Sequence, residues 1–502
     1  MANHLWSPRR FACPPRRKLS AGRGGEATGD GMIWQTVACE LALCGWIVVV
    51  LGADLLWPQS RKGSLWKLTF GGLVLLGLVL WWQRRWIGKA GDPMFVLDQF
   101  AWSFKWLFVF TVGVVVLMTR LFAKQLSENL GEFYLLLLTA LLGTLVLAST
   151  NDLLLLFIGL ELLTFSLYVM AAYVKTDARS VEAGLKYLIL GSISSGFLIY
   201  GVGLLYGASG GTGFGVLRDL FASGQQTPLA NAGLLFVLAG LGFKIAAVPF
   251  HLWVPDVYEG APVPVVALLS VGSKMAGVVA LLRVLYSVCL PAQWLWADLL
   301  AVLAAATMLY GNLGAIPQTN IKRLLGYSSI GHAGYLLMGL STASPGGAQA
   351  VGVYLLAYLF SNLAAFLVVA VVSGSVQSDS LEDYDGLSQR SPFLAAAMFL
   401  GLLSLAGVPP LAGFVGKLVV LLATAEANRV WLVALGAVNV AISLYYYLMV
   451  VRRMYIRPPK TRWLIPVDRV TIAILLVLVG GILIIGIFQE PFLRLMTSAI
   501  MF

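Results

Sequence analysis

Four ionisable side chains stand inside sequence that is otherwise apolar. They are Glu161 in LLLLFIGLELLTFSLYVM, Lys244 in LAGLGFKIAAVPF, Lys274 in VPVVALLSVGSKMAG and Lys417 in LAGFVGKLVVLL. A charge at the centre of a bilayer is unfavourable by about 3 kcal/mol on insertion scales, so such residues mark ion or proton pathways. A lysine whose surroundings alternate between apolar and carboxylate-lined can bind and release a proton near neutral pH. Glu161 and the three lysines therefore read as proton-transfer groups, against the plainer alternative of structural ion pairs or snorkelling side chains. His332, in Ser-Ser-Ile-Gly-His-Ala-Gly-Tyr, is placed to relay protons between them or else to pack as a hydrogen-bonded histidine. His251, just past a proline, reads as a carrier of protons towards the cytoplasm. Lys186 follows Glu182 at i,i+4, so an ion pair and a transfer role are equally open. Arg283 is expected near a helix end and Lys105 deeper, neither with an assigned role.

Two of the lysines flank interruptions of a hydrophobic run. Lys244 precedes Ala-Val-Pro (247–249), and Lys417 follows Gly-Val-Pro-Pro (407–410). A helix spans lipid because its backbone bonds to itself, and a broken helix is tolerated only where it is buried in protein or lines a cavity. The two breaks are five predicted helices apart. An odd number of helices per unit turns the second copy upside down, which is the inverted-repeat plan of transporters; coincident prolines are the alternative.

The elements that must position these residues are membrane spans. The chain has 502 residues, 59% hydrophobic and 11% charged, where a soluble domain carries roughly 25% charge. Runs long enough for a ~30 Å core predict an all-α polytopic protein. About fourteen helices are expected, near 33–56, 65–83, 97–119, 130–149, 151–173, 183–206, 230–248, 262–289, 295–316, 328–342, 349–374, 392–424 (interrupted), 429–451 and 470–488. Odd-numbered loops hold fifteen Lys/Arg, Lys322 and Arg323 among them, and the even loops with the C-terminus hold six. The positive-inside rule then puts both termini outside. Residues 1–31, with six Lys/Arg, run against that rule and read as a presequence or an over-extended start before Met32.

The net charge of +11 reflects loop topology rather than a nucleic-acid face, so no nucleic-acid partner is expected. Cys13, Cys39, Cys44 and Cys289 lack the spacing of an iron–sulfur site, and the three histidines do not suit a haem. No dinucleotide fingerprint is present. No cofactor or metal is expected on this chain.

Three stretches, FHLWVPDVYEGAPVPV (250–265), GNLGAIPQTNIKRLLGYSSIGHAGY (311–335) and LSLAGVPPLAGFVGKL (403–418), closely resemble the antiporter-like subunits of respiratory complex I. That family also includes membrane subunits of Mrp-type cation/proton antiporters and of membrane-bound hydrogenases. Within it, the Asp-Val-Tyr-Glu-Gly-Ala-Pro form looks like the N class (the subunit 2 class of the mitochondrial enzyme). The end of the chain soon after the fourteenth helix also fits that class better than the L class, which carries a long lateral helix. The resemblance covers roughly residues 33–490. It implies fourteen helices in two inverted five-helix repeats, with helices 7 and 12 broken. The segments become 1–31 (tail), 32–125 (helices 1–3), 126–290 (first repeat), 291–453 (second repeat) and 454–502 (basic loop and helix 14). It also implies a proton path on which Glu161, Lys244, Lys274 and Lys417 fall by motif, with His332 in a central polar axis and Lys186 matching a lysine of the sixth helix. Redox chemistry with NADH, FMN, iron–sulfur clusters and quinone would belong to partner subunits. The nearest partners would be membrane subunits of the K, M, J and A classes, in the inner membrane of a bacterium. A stand-alone antiporter or a hydrogenase-type complex is the alternative setting.

Overall fold

A computed structural model describes residues 34–89, 93–122, 130–224, 227–459 and 463–500. The 1–31 tail lies outside the described residues. Among the described residues twelve helices are long and apolar enough to cross a membrane. We number the spans α1 (Ala38–Leu56), α2 (Leu65–Gln83), α3 (Gln99–Phe122), α4 (Leu130–Ser149), α5 (Leu153–Ala171), α6 (Ala178–Ser209) and α7 (Pro228–Ile245, resuming as Trp253–Gly260). They continue with α8 (starting at Val263 and ending at Val288), α9 (Gln293–Ala315), α10 (Ile321–Leu340), α11 (Pro345–Val376), α12 (Pro392–Ala406 and Ala412–Glu426), α13 (Val430–Tyr455) and α14 (Arg469–Ile487). Fourteen elements result because α10 and the two short arms of α12 add to the twelve long apolar helices.

Local chemistry fixes many of the starts. Asp152 accepts hydrogen bonds from the Leu154 and Leu155 amides at 2.7 and 3.2 Å, capping α5. Thr227 and Ser344 cap α7 and α11, each followed by a proline at the first helical position, where the missing N–H is not needed. The α10 start corrects an expectation. The sequence placed Lys322 and Arg323 in a loop before a helix near 328, but Asn320 accepts from both their amides, at 2.9 and 3.1 Å, and starts the helix at Ile321. Lys322 is consequently buried, paired with Asp379 at 2.8 Å and donating to the Ala261 carbonyl at 3.1 Å. Outside the spans, Asp468 immediately precedes α14 and accepts from the Thr471 hydroxyl and Arg120. Burial pushes its carboxyl up, but hydrogen bonds from Thr471 and Arg120 outweigh this and hold it below the usual carboxylate range.

Both interrupted helices end in the same way. The α7 arm stops at Ala246, with φ 65°, and the first α12 arm at Gly407, with φ 90°. In each the next amide reaches back five residues, Ala247 to the Gly242 carbonyl at 2.9 Å and Val408 to Leu403 at 3.0 Å. This is the Schellman motif, and it satisfies carbonyls that a break would expose to lipid. Neighbouring side chains satisfy the remaining donors: Thr307 of α9 accepts from the Val248 amide and Ser404 from the Gly413 amide, both at 3.0 Å.

The bundle is wrapped around α8 and α11, whose apolar windows are 100% and 94% buried, against 22% for α1. Helices apolar all round belong at such a centre. Small residues set the close approaches: a Cβ on Gly311 of α9 would lie 2.2 Å from the Gly331 nitrogen of α10. A side chain there would force α9 and α10 apart.

Candidate functional site

Glu161 is the ninth residue of α5, Lys274 the twelfth of α8 and His332 the twelfth of α10. At 1.5 Å per residue they lie about 12–16 Å from their helix starts, near mid-membrane. Lys244, Lys274 and Lys417 are 2–3% exposed. Among the described residues, none of the three has a carboxylate within ion-pair distance. Each ammonium is held by hydroxyl or carbonyl oxygens instead.

These groups are joined by a recurring step of one helical turn. The Glu161 carboxylate accepts from Ser195 of α6 at 2.5 Å. One turn on, Thr164 accepts from Lys244 at 2.7 Å, and Tyr187 offers a second oxygen at 3.4 Å. Residues three apart on a helix are surface neighbours, so the Lys244 ammonium is one turn from the carboxylate. The Lys244 stem passes over Gly277 of α8, where an added Cβ would be 3.1 Å from its Cγ. Gly277 is one turn beyond Lys274. Lys274 in turn donates to the Ser329 hydroxyl of α10 at 2.5 Å and also to the Ser329 carbonyl. Ser329 is one turn before His332.

The His332 ring joins Tyr354 (2.6 Å) and Tyr447 (3.2 Å) through its two nitrogens. It shares with Lys417, Tyr358 and Ser404 an internal cavity of about 10 Å³, the space of roughly one water. Lys417 donates to the Ala406 carbonyl at 2.9 Å, at the C-terminal end of the broken first arm of α12, and lies 5.1 Å from the Tyr335 ring centre. Cations suit that end of a helix. Gly407 gives the lysine room, since a Cβ there would be 2.9 Å from Lys417 Cδ.

The structure thus gathers Glu161, Lys244, Lys274, His332 and Lys417 along one line. It sets His251 and Lys186 apart. His251 is buried at the α7 break against Tyr310, with ring centres 4.1 Å apart. Lys186 bridges Glu182 (2.8 Å) and Asp256 (2.7 Å), and Arg323 bridges Asp256 and Glu259 at 2.8 and 2.9 Å. These residues line a cavity of about 220 Å³ where α6 and α10 begin and α7 ends. Two further ion pairs, one partly exposed and one buried, lie near the opposite face. Arg283 grips Asp98 through two bonds at 2.7 and 2.8 Å, and Lys105 meets Glu40 at 2.6 Å.

Sequence reasoning missed the hydroxyls. Thr164, Tyr187, Ser329, Tyr354 and Tyr447 hold the titratable groups, and the available signal was the i,i+3 spacing of Glu161 with Thr164 and of Ser329 with His332. It also missed the π-helical turn Leu269–Ser273 immediately before Lys274, a local widening frequent at functional sites. Among the described residues no group of three or more His, Cys, Asp or Glu could hold a metal ion.

Broken helices with matching ends and a buried line of lysines, hydroxyls, a histidine and a glutamate define an ion-translocating membrane protein of the antiporter type. The membrane-domain model described as "NADH:quinone oxidoreductase/Mrp antiporter, TM" matches residues 150–443, and the chain belongs to that family. NADH-quinone oxidoreductase subunit N of Desulforamulus reducens is 43% identical over 459 residues, 91% of this chain and 95% of that one. NAD(P)H-quinone oxidoreductase subunit 2 of a Synechococcus species is 42% identical, covering 94% and 91%. Among solved structures, a chain of respiratory complex I from Thermus thermophilus superposes with TM-score 0.79 at 35% identity, over 92% of this chain and 99% of that one. A chain of an archaeal membrane-bound sulfane sulfur reductase gives TM-score 0.82 at 26% identity, covering 92% and 96%.

Proposed function

We propose that this chain is a proton-translocating membrane subunit of an NADH:quinone oxidoreductase complex, with a relay running Glu161–Lys244–Lys274–His332–Lys417. One observation carries the reading: Lys244 and Lys274 each bond to a hydroxyl residue one helical turn from another titratable group, Glu161 and His332, and Lys417 shares a small cavity with His332. In this relay Thr164, Tyr187, Ser329 and the His332–Lys417 cavity supply the intervening oxygens and room for a water. Lys186 lies in the ionic cluster with Asp256 and Arg323, which serves as the mouth through which protons enter. His251 is a candidate for the same route at the α7 break.

The relatives' names support partners that carry NADH and quinone chemistry, leaving this chain to bind and pass protons in response. Complex I membrane subunits of the K, M, J and A classes are the proposed neighbours. The loop charges support odd loops in the cytoplasm of a bacterium and both termini outside the inner membrane. The matched Schellman ends of α7 and α12 support two inverted repeats, 126–290 and 291–453. Greater identity to the quinone oxidoreductase subunits than to the sulfur reductase chain supports a quinone oxidoreductase setting.

The test is proton uptake by vesicles holding the assembled complex with Lys244→Ala or Glu161→Ala. Pumping is expected to fall much more than subunit content. Wild-type pumping in both variants, with the complex intact, would overturn the assignment.

A further inference from the structure

One face of α2 points outward along its whole length and ends in cations. Val74, Leu75, Leu78, Trp81 and Trp82 are 55%, 42%, 60%, 62% and 39% exposed, and their spacing is that of a single helical stripe. Arg84 and Arg85 follow in the short 3-10 turn that ends the helix and Lys89 lies three residues beyond it, all three exposed. From Val74 to Arg85 the helix rises about 16 Å, and one leaflet of a bilayer's hydrocarbon is about 15 Å deep. The stripe is apolar up to that height, aromatic at the boundary and cationic above it, which is the profile of a phospholipid read from tail to headgroup.

The cations are available for a ligand. Among the described residues Arg84, Arg85 and Lys89 have no carboxylate within ion-pair distance, while Arg429 and Arg494, also from even loops or the C-terminus, pair with Asp298 (2.7 Å) and Glu490 (2.9 Å). In sequence, residues 84–92 hold three cations against the single carboxylate of Asp92. The turn is also held in place. Gln83 is buried and donates to the Gln35 and Thr36 carbonyls at 2.9 and 3.1 Å. Lys89 lies 4.3 Å above the Trp86 ring, and the Trp82 and Trp86 ring centres are 6.3 Å apart. Three of the five even-loop cations thus gather at one helix end, on the face the charge rule leaves poor in positive residues.

We infer that the C-terminal turn of α2, with Arg84, Arg85 and Lys89 above the Val74–Trp82 stripe, binds the headgroup of an anionic phospholipid whose acyl chain lies along α2. Each cation near an anionic lipid surface is worth roughly fivefold in affinity, so the three together are worth about a hundredfold.

The test uses the intact membrane complex, delipidated and titrated with phosphatidylglycerol or phosphatidylcholine, with bound lipid counted by native mass spectrometry. The variant R84Q/R85Q/K89Q is expected to weaken phosphatidylglycerol binding by about a hundredfold and to leave phosphatidylcholine unchanged. R84K/R85K and the control R218Q should both bind as wild type. The inference is overturned if the triple variant keeps phosphatidylglycerol, if both lipids are lost equally, or if R218Q loses as much. Displacement by inorganic phosphate at matched ionic strength would make the site one for a free anion. Loss of a neighbouring subunit with lipid binding intact would make it an acidic protein face. Both results count against the lipid.

Discussion

Replacing Thr164 by valine removes one oxygen and almost no volume. The hydroxyl donates to the Leu160 carbonyl of its own helix at 2.6 Å and accepts from Lys244 at 2.7 Å, so its loss leaves the ammonium with only Tyr187 at 3.4 Å. A hydrogen bond to a charged group contributes about 1.5–3 kcal/mol. The lost bond shifts how readily Lys244 holds its proton by roughly ten- to a hundredfold, so Thr164→Val should pump more slowly and settle at a lower steady potential, where slower pumping balances leak. The assay is the assembled complex in sealed vesicles, with membrane potential and NADH oxidation followed together. Thr164→Ser, which keeps the oxygen, should restore the wild-type limit. A Thr164→Val complex that is fully assembled and sustains the wild-type potential would refute the idea that this hydroxyl holds Lys244 in the relay.

Two further substitutions separate relay from scaffold. Gly277→Ala places a Cβ 2.9 Å from Ile245 Cγ2 and 3.1 Å from Lys244 Cγ, so the lysine stem must move; proton pumping per NADH oxidised should drop severalfold while complex content on native gels stays near wild type. Arg283→Ala leaves Asp98 without its two-bond partner and frees the Ala148 carbonyl as well. Asp98 is partly exposed, so water can take up the carboxylate left behind and the loss is about 1–3 kcal/mol; a modest fall in assembled complex is expected on native gels, with Arg283→Lys intermediate.

The fold was largely legible because the bilayer imposes one rule, continuous apolar runs of spanning length, and the two breaks announce themselves through Pro249 and Pro409–Pro410. The start of α10 was not legible. Lys322 and Arg323 look like loop charges until Asn320 is seen to cap them and Asp379 to neutralise Lys322. The same limit holds for the site. A charged residue in an apolar run is conspicuous, whereas Thr164 and Ser329 are ordinary membrane-helix residues until a neighbouring lysine reaches them. Lys105 was noticed without a role because its partner Glu40 sits near the beginning of α1, where a carboxylate attracts no attention. The π-helical turn before Lys274 leaves no trace in the apolar pattern, which reads as one continuous span.

The oxygens that hold the three lysines are not of one kind. Lys244 bonds to a hydroxyl, Lys274 to a hydroxyl and a carbonyl, and Lys417 at close range to the carbonyl of Ala406, with the Ser443 hydroxyl only at 3.4 Å. A hydroxyl accepts a hydrogen bond and can hand one on, whereas a backbone carbonyl can only accept. Lys244 and Lys274 are thus each held by at least one group that can accept and donate, while the nearest oxygen to Lys417 can only accept. The Ala406 bond takes only one of the three ammonium hydrogens, so the break in α12 fixes where Lys417 stands while leaving two hydrogens to face the His332 cavity and the Ser443 side.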